Sequence, residues 1–309
     1  MNKLYGVFIV LMIICMLTIP LIAINKPLSP TNEPTSTGQA PNNSDTVLLY
    51  DIKSKKTLKL SPLEYTVGVV ASEIPASFDT EALKAQAVAA YTVALHFNKD
   101  LSNDPEKHQG YIDSVARKEK WGSKFDEYEK KVTDAVKSVL MQKITYNNKP
   151  ILAVYHAISG GKTESAQTVW GKNYDYLVPV ESAGDVLAPD YISKITYTKD
   201  EFISMATALG LKLSGEVSSF ISTPTCTDSG TVKSYKLGGK TFTGQQMRKA
   251  FSLRSANFEL SAADNKLVFT VRGYGHGVGL SQYGANYMAQ QGSDYKEILK
   301  WYYKGCEIQ

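Results

Sequence analysis

The chain has 309 residues, with 34 lysines and arginines against 30 aspartates and glutamates, and its formal net charge at pH 7 is +4. A balance this close to neutral gives no support to a nucleic-acid partner. The three cysteines include no C-x-x-C pair, which excludes a disulfide framework and leaves at most one bond, between Cys226 and Cys306.

The first 45 residues contain a long apolar segment followed by a polar one. Leu4–Ile24 has no charged residue and is long enough to cross a bilayer, for which about 20 residues are needed. A cleaved signal peptide has a shorter apolar region that ends in small residues. The segment therefore predicts an uncleaved transmembrane signal anchor behind a short cytoplasmic tail, residues 1–3. Asn25–Asp45 is rich in Pro, Ser, Thr and Asn and predicts a tether without a core. We expect a single-pass protein of the cell membrane whose domain over 46–309 is extracytoplasmic.

Hydrophobic periodicity predicts a mixture of helices and strands in 46–309. Ser61 and Asp79 are typical N-caps, and Pro62 suits the first turn of a helix. The pattern predicts a strand pair over Val47–Leu60, helices over 62–70, Asp79–Phe97, Trp121–Met141 and Thr196–Gly210, a hairpin of Ile144–Tyr146 with Pro150–His156, a strand over Val268–Arg272 and a helix from Ser281. The fold class is α+β. The length allows one large domain or two lobes around a central substrate groove, and we expect the second.

One acid stands out in the segment Glu64–Thr92. Glu73 lies between the apolar run Val67–Ala71 and the pair Ile74-Pro75. A carboxyl group among apolar side chains has a raised pKa because desolvation disfavours its charged form. A raised pKa makes such a group a proton donor near neutral pH. The alternative is a partly exposed glutamate in a turn, with no catalytic role.

Two glycine-containing loops lie elsewhere in the chain. The residues GKT at 161–163 resemble the end of a phosphate-binding loop, but His156 stands where that loop needs its first glycine. The second loop has glycines at 273, 275, 277 and 279, a spacing that does not fit a dinucleotide motif. Its glycines let the backbone approach a ligand closely, and His276 and Ser281 add hydrogen-bonding groups. The alternative is a structural histidine and a simple N-cap.

The sequence gives no sign of a metal site or of a nucleophilic hydrolase. It has no H-E-x-x-H motif and no G-x-S-x-G motif. Cys226 has no local signature of a nucleophile, and the histidines are scattered at His96, His108, His156 and His276. We therefore expect no metal and no cofactor.

Three segments together closely resemble the stage II sporulation protein D family. They are EYTVGVVASEIPASFDTEALKAQAVAA from Glu64, SGGKTE from Ser159 and GHGVGLSQYGA from Gly275, and the likeness covers essentially all of 46–309. The resemblance implies a peptidoglycan lytic transglycosylase that acts during engulfment in endospore formation. It also implies two partners, an amidase that first removes the peptides from the glycan strands and a membrane protein of the engulfment complex.

The resemblance implies a catalytic role for Glu73, because the glutamate that follows GVVA-x is catalytic in that family. Glu73 would protonate the glycosidic oxygen between N-acetylmuramic acid and N-acetylglucosamine. The resulting carboxylate would take the proton from the muramic C6 hydroxyl, which closes a 1,6-anhydro ring. One acid suffices, because the nucleophile belongs to the substrate. We expect the groove around it to be lined by Ser159, Gly160, Gly161, Thr163, Glu164, His276, Ser281, Gln282 and Tyr283.

Two positions depart from the family pattern. Tyr91 stands where the family usually has arginine, so the resemblance does not fix the substrate contacts there. Some relatives bind zinc through cysteine and histidine in the loop that follows this helix. The loop here, Asp104–Tyr111, has no cysteine, and we expect no zinc.

Two other functions are open at this stage. A non-catalytic glycan-binding module that enhances a partner amidase would use the same groove, and Glu73 would then serve only structure or binding. A structural anchor in a membrane complex would use only Leu4–Ile24 and the tether.

Overall fold

A computed structural model describes residues 46–309 and has the α+β composition that the sequence predicts. The helices are α1 (Pro62–Glu73), α2 (Thr80–Phe97), α3 (Ser114–Trp121), α4 (Phe125–Ser138), α5 (Ala166–Trp170), α6 (Lys199–Ala206), α7 (Gly244–Ala250), α8 (Gln282–Gln290) and α9 (Tyr295–Tyr302). The strands are β1 (Val47–Asp51), β2 (Lys56–Leu60), β3 (Ile144–Tyr146), β4 (Lys149–Pro150), β5 (Tyr155–His156), β6 (Ile192–Thr198), β7 (Thr225–Cys226), β8 (Val232–Leu237), β9 (Lys240–Phe242), β10 (Phe258–Ala263), β11 (Lys266–Arg272), β12 (Leu280–Ser281) and β13 (Glu307–Ile308). Short 3-10 turns occur at Asn98–Asp100, Gly122–Lys124, Ala183–Leu187, Thr207–Leu209 and Val217–Phe220.

Helix α1 places Glu73 at its last residue. The helix begins with a capping box in which the Ser61 hydroxyl accepts a hydrogen bond from Glu64 N, and the Glu64 carboxylate accepts one from Ser61 N. It continues past the predicted end at residue 70, because the apolar run goes on to Ala71. Ile74 has extended backbone, with φ −125° and ψ 145°, since the following proline disfavours helical geometry before it. Glu73 is therefore held on a helix end rather than in a free turn.

The hydrophobic core has two parts within one compact unit. The first is built from α1, α2, α4, α8 and α9, with Leu83, Val88, Val132, Leu280 and Ile298 among its buried side chains. The second is built from α6, α7, β8, β10 and β11, with Phe202, Tyr235, Met247, Phe251 and Phe269 among its buried side chains. The two lobes that the sequence predicts stay a prediction.

Two strand pairings position the glycine-containing loops. Strands β10, β11 and β6 form an antiparallel sheet in which Val271 pairs with Phe258 and with Ser193. Strand β12 pairs in parallel with β5, so Ser281 lies opposite His156. The parallel pairing brings the segment after His156 beside the segment before Ser281.

Three predicted elements differ from the structure: one hairpin and two helices. The hairpin contains only β3 and β4, since β5 pairs with β12 instead. The predicted helix over Thr196–Gly210 begins only at Lys199, where Thr198 forms a capping box with Glu201 after the end of β6. The predicted helix over Trp121–Met141 is interrupted near Gly122, whose φ is +52°, so α3 ends at Trp121 and α4 begins at Phe125.

The one disulfide that the cysteine count allowed does not form in this structure. Cys226 and Cys306 are both free thiols.

The residues that the structure describes contradict the predicted location in the cell membrane. No helix between residues 46 and 309 is long and apolar enough to cross a membrane. The 18-residue helix α2 carries the charged residues Glu81 and Lys84, whereas a span needs about 20 predominantly apolar residues. The predicted tail, anchor (Leu4–Ile24) and tether (Asn25–Asp45) lie outside the described residues.

Candidate active site

The Glu73 carboxyl group is held by a loop from a distant part of the chain. Its Oε1 accepts a hydrogen bond from the Gly110 backbone N–H. Gly110 has no room for a side chain, because a Cβ there would lie 2.5 Å from Ser72 Oγ and 2.8 Å from Glu73 Oε1. The loop approaches α1 so closely that its Ile112 N–H donates to Gly68 O at 3.2 Å. The position of the carboxyl group therefore depends on this contact between α1 and the loop.

A buried polar network fixes the loop next to Glu73. The Gln109 amide donates to the Tyr65 hydroxyl and, at 3.0 Å, to Ala90 O. The Tyr155 hydroxyl donates to Gln109 Oε1 at 2.8 Å. Because Gln109 precedes Gly110, three elements on separate parts of the chain hold the N–H group that contacts the carboxyl group.

An ion pair holds the far end of the same loop. The Arg117 guanidinium is buried and donates to both carboxylate oxygens of Glu129, at 2.7 and 2.8 Å, and to Ile112 O at 3.2 Å. A bidentate pair of this kind fixes orientation as well as distance.

Burial raises the pKa of Glu73 above its ordinary value, and two interactions limit the rise. Desolvation is the largest influence because it penalises the charged form. The hydrogen bond from Gly110 and the charge of Lys120 both favour the carboxylate and lower the pKa. The Lys120 ammonium is fixed nearby by hydrogen bonds to Ala71 O at 2.7 Å and Ser72 O at 3.1 Å, where it also caps the end of α1. Glu73 can thus hold a proton near neutral pH and still form a stabilised carboxylate.

Glu73 opens onto a cavity of about 640 Å³ between the two parts of the core. This volume is within the usual range for ligand sites, roughly 300–1,000 Å³. The cavity is lined by residues of α2 and of the loop that follows it, and also by Gln245, Arg248 and His276. Trp170, which is 43% exposed, also lines it. Glu73 and His276 therefore line the same cavity.

His276 lines this cavity with a neutral imidazole ring. Its Nδ1 accepts a hydrogen bond from Val278 N at 3.0 Å, and its ring lies 5.1 Å from that of Trp170. Burial, followed by the charges of His156 and Arg248, lowers the pKa of His276 to about 3. Burial likewise lowers the pKa of His156 to about 4, and its Nδ1 donates to Val278 O at 3.1 Å. Neither imidazole is charged near neutral pH.

Ser159 and Ser281 meet at a buried acid that the sequence reasoning missed. Asp185, completely buried, accepts from Ser159 N at 2.9 Å and from the Ser281 hydroxyl at 2.6 Å. Burial raises the pKa of Asp185, while these hydrogen bonds lower it. In the Ser159 loop, Gly160 O accepts from the Tyr191 hydroxyl at 3.0 Å and Gly161 has φ +100°. Asp185 therefore links the two glycine-containing loops through these two hydrogen bonds.

Thr163 and Glu164 lie at or near a second, narrow cleft. Thr163 is completely buried and accepts from Val180 N at 2.9 Å. Glu164 lines a cleft of about 20 Å³ together with Ser159, Gly160 and His276. Its carboxylate accepts from the Thr227 hydroxyl at 2.5 Å, and its backbone N–H donates to Gly277 O at 2.7 Å. Since His276 lines both spaces, the cleft adjoins the cavity of Glu73.

The last three predicted positions lie at the start of α8. Ser281 is its N-cap and accepts from Gly284 N at 3.3 Å. Gln282 is buried and donates to Gln86 Oε1 at 3.2 Å. Tyr283 packs edge-on against Phe78 at 4.9 Å and lines a third space, of about 530 Å³. The substrate-binding roles of all nine predicted groove residues stay predictions.

The two departures from the family pattern have clear positions in the structure. Tyr91 is buried in α2, and its hydroxyl donates to Met141 Sδ at 3.2 Å. In the loop after α2, His108 Nδ1 lies 2.8 Å from Ser102 Oγ. Within residues 46–309, no three His, Cys, Asp or Glu side chains lie close enough together to hold a metal ion. The expectation of a site without metal stays a prediction.

Sequence reasoning missed the residues that act on Glu73 through space. Gly110 and Lys120 contact the end of α1 from separate elements, and Arg248, also missed, lines the cavity onto which Glu73 opens. The only sequence feature that could have pointed to one of them was the pair Gln109-Gly110, in the loop that lacks the family's cysteine. Arg248 and Asp185 had no motif that marked them.

The sequence has well-defined relatives. Residues 51–146, which include Glu73, Gly110 and Lys120, match the family model described as "Stage II sporulation protein". The chain is 38% identical over 285 residues to stage II sporulation protein D of Bacillus subtilis (strain 168), which covers 83% of this chain and 82% of that protein. It is 38% identical over 267 residues to stage II sporulation protein D of Bacillus amyloliquefaciens, which covers 82% of this chain and 76% of that protein.

A more distant likeness is to the amidase enhancer of Bacillus subtilis (strain 168), 26% identical over 295 residues, 78% of this chain and 40% of that protein. The first two relatives share more than a third of their residues with this chain over most of their length. The chain therefore belongs to the stage II sporulation protein D family.

Proposed function

We propose that this protein is a lytic transglycosylase that cleaves the bond between N-acetylmuramic acid and N-acetylglucosamine in peptidoglycan strands and leaves 1,6-anhydro ends. The observation that carries the proposal is the Glu73 carboxyl group, whose pKa is raised by burial and which opens onto a cavity of about 640 Å³. A proton donor in a cavity of this size suits general acid catalysis on a sugar chain.

The hydrogen bond from Gly110 decides which oxygen carries the proton. Because Oε1 of Glu73 accepts from the Gly110 N–H, the proton of the neutral carboxyl group belongs on Oε2. Oε2 donates this proton to the glycosidic oxygen, and the bond to the anomeric carbon breaks. The carboxylate then receives the proton of the muramic C6 hydroxyl as that oxygen bonds to the anomeric carbon. Gly110 and Lys120 stabilise the carboxylate between the two steps.

The surroundings of the cavity favour an internal nucleophile over an activated water. Glu106, the other carboxylate on the cavity wall, is exposed at its rim. Glu164 lies in the adjoining cleft, where its carboxylate accepts from Thr227. An inverting hydrolase needs a second carboxylate placed to activate water, whereas intramolecular attack has a large effective-molarity advantage.

The walls suit a sugar chain. Trp170 offers a partly exposed aromatic face, and Phe97, Leu152 and Val154 add apolar surface. Aromatic side chains of this kind combine a flat apolar face with a polar edge. His276 also lines this cavity, and the remaining predicted groove residues are proposed to bind the parts of the strand that extend beyond it. The proposed catalytic domain comprises residues 46–309.

Family membership supports a role in sporulation, in remodelling of the septal wall during engulfment. The likeness to the amidase enhancer supports an amidase partner that strips peptides from the strands before this protein acts, and a membrane protein of the same complex is the second proposed partner. The same likeness favours one alternative, a non-catalytic module that binds glycan and enhances the amidase.

The test is the Glu73→Gln substitution in the purified protein. Glutamine keeps the size of the side chain and the acceptor for Gly110 N but cannot donate or receive the proton. We expect cleavage of peptide-free glycan to fall by about 10²–10⁴-fold, the usual contribution of general acid–base catalysis, while glycan binding and folding are retained. Cleavage at the wild-type rate by a folded Glu73→Gln protein contradicts the proposal. Binding without cleavage in the wild type favours the non-catalytic module.

A further inference from the structure

Arg248 lies in the wall of the Glu73 cavity and has no anionic partner among residues 46–309. It lies in α7, is half-buried and lines the cavity. Its Nε donates to Leu253 O at 3.3 Å, which leaves the two terminal nitrogens of the guanidinium available to a ligand. None of the ion pairs between residues 46 and 309 includes Arg248. A partly desolvated guanidinium without a carboxylate is costly, unless a ligand supplies one.

Gln245 adds a second unused donor on the same helix face. It precedes Arg248 by three residues, so the two side chains are neighbours on α7, and both line the cavity. Its Nε2 is buried and has no hydrogen-bond partner among the described residues. Buried polar groups are nearly always paired, and an acceptor on a ligand bound next to Arg248 would satisfy this N–H₂ group.

Arg248 carries the main positive charge in this part of the cavity, because the two neighbouring imidazoles are neutral. Burial, with a smaller contribution from the charge of Arg248, lowers the pKa values of both His156 and His276, so both imidazoles are neutral and supply no competing cation. The other cationic side chain of the cavity, Lys107, is highly exposed and pairs with Asp104 at 3.4 Å. An anionic group bound in the cavity is therefore directed to Arg248.

We propose that Arg248 and Gln245 bind the lactyl carboxylate of N-acetylmuramic acid, so that the cavity selects strands from which the peptide has been removed. This rests on the proposed function and names the residues behind its substrate preference. An amidase that cuts the bond between the lactyl group and the peptide converts a neutral amide into a carboxylate on the sugar whose glycosidic bond is cleaved. Guanidinium groups bind carboxylates through two parallel hydrogen bonds, and a neutral amide cannot form that ion pair.

The experiment measures binding in the full-length chain carrying Glu73→Gln, which removes turnover. The probes are a peptide-free oligosaccharide of alternating N-acetylglucosamine and N-acetylmuramic acid, the same oligosaccharide with lactyl carboxamides, and a chito-oligosaccharide of equal length. A peptide-bearing strand is the fourth probe, because its lactyl group is an amide and its carboxylates lie on the stem peptide. We expect the free lactyl acid to bind about ten- to hundredfold more tightly than the other three, the range for a charge-assisted hydrogen-bonded pair.

Adding Arg248→Gln is expected to abolish this preference and leave chito-oligosaccharide binding unchanged, which also shows that the cavity is still folded. Arg248→Lys is expected to retain part of the preference, because the charge remains but the paired donors do not. The matched control is Lys249→Gln, which removes the same charge from the next, exposed residue of α7 and is expected to change nothing.

Equal binding of the lactyl acid and its carboxamide overturns the inference, as does a preference that survives Arg248→Gln, or a lack of binding to every probe. Tighter binding of the peptide-bearing strand would assign Arg248 to a stem-peptide carboxylate instead. The proposed function fails separately: a protein with Glu73 intact that binds the lactyl acid selectively but forms no anhydro product is not a transglycosylase, and the role of Arg248 in binding still stands.

Discussion

Gly110→Ala is the substitution that most directly tests how the acid is positioned. Gly110 does not have positive φ, so alanine can adopt its backbone conformation, but the new Cβ lies 2.5 Å from Ser72 Oγ, 3.5 Å from Ser72 Cβ and 2.8 Å from Glu73 Oε1. All three are side-chain atoms, and we expect the carboxyl group to move away and lose the hydrogen bond from residue 110. A misplacement of about 1 Å costs on the order of 10²-fold in rate, or about 2.7 kcal/mol of barrier.

The same substitution has a predicted effect on the pH profile. The Gly110 hydrogen bond favours the carboxylate and lowers the pKa of Glu73, so its loss raises that pKa further. The protonated acid then persists to higher pH, and the alkaline limb of kcat moves upward while the maximum rate falls. The assay is the formation of 1,6-anhydro-N-acetylmuramic acid ends from peptide-free glycan across a pH series, with thermal unfolding as the check on folding.

The control is Gly122→Ala, at a glycine whose Cβ would meet nothing within 4 Å. Its φ of +52° strains an alanine by roughly 1–2 kcal/mol, so stability falls while activity is expected to remain. If Gly110→Ala keeps the wild-type rate and profile in a folded protein, the loop does not position Glu73 and the reasoning is refuted.

The remaining predictions concern the charge, the stability and the metal independence of the site. Lys120→Met removes a charge that lowers the pKa of Glu73, so the alkaline limb of the pH–rate profile should move upward, and an unchanged profile would separate Lys120 from the acid. Glu73 has a raised pKa in the folded state, so its stabilising contribution is present below its ordinary value of 4.5 and is lost as pH rises through the raised value. Chemical denaturation should therefore show Glu73→Gln gaining stability over the wild type between acidic and neutral pH, and a pH-independent difference would contradict the raised pKa. Activity should survive extensive EDTA treatment, and loss of stoichiometric zinc together with activity would show a metal site that includes His108.

The local features of the site were predictable from the sequence because they depend on neighbouring residues. Ser61 and Asp79 are N-caps as predicted, and Ser281 is the N-cap that the alternative interpretation expected, since capping involves residues within one turn. The isolation of Glu73 among apolar residues correctly indicated a raised pKa.

The contacts that tune the acid were not predictable, because they join distant parts of the chain. Gly110 is 37 residues from Glu73, and no periodicity or motif records which backbone N–H a carboxyl group will meet. The same holds for Asp185, which joins loops whose serines lie on opposite sides of it in the sequence. The hairpin was mispredicted for a related reason, because alternation marks β5 as a strand but does not choose β12 as its partner.

The most direct measurement of the central claim is mass spectrometry of the glycan ends formed by the purified protein from peptide-free strands. The account predicts 1,6-anhydro-N-acetylmuramic acid ends with the wild type, none with Glu73→Gln, and fewer from peptide-bearing strands. Reducing muramic ends without any anhydro species would contradict it and would indicate a hydrolase in which a second carboxylate activates water.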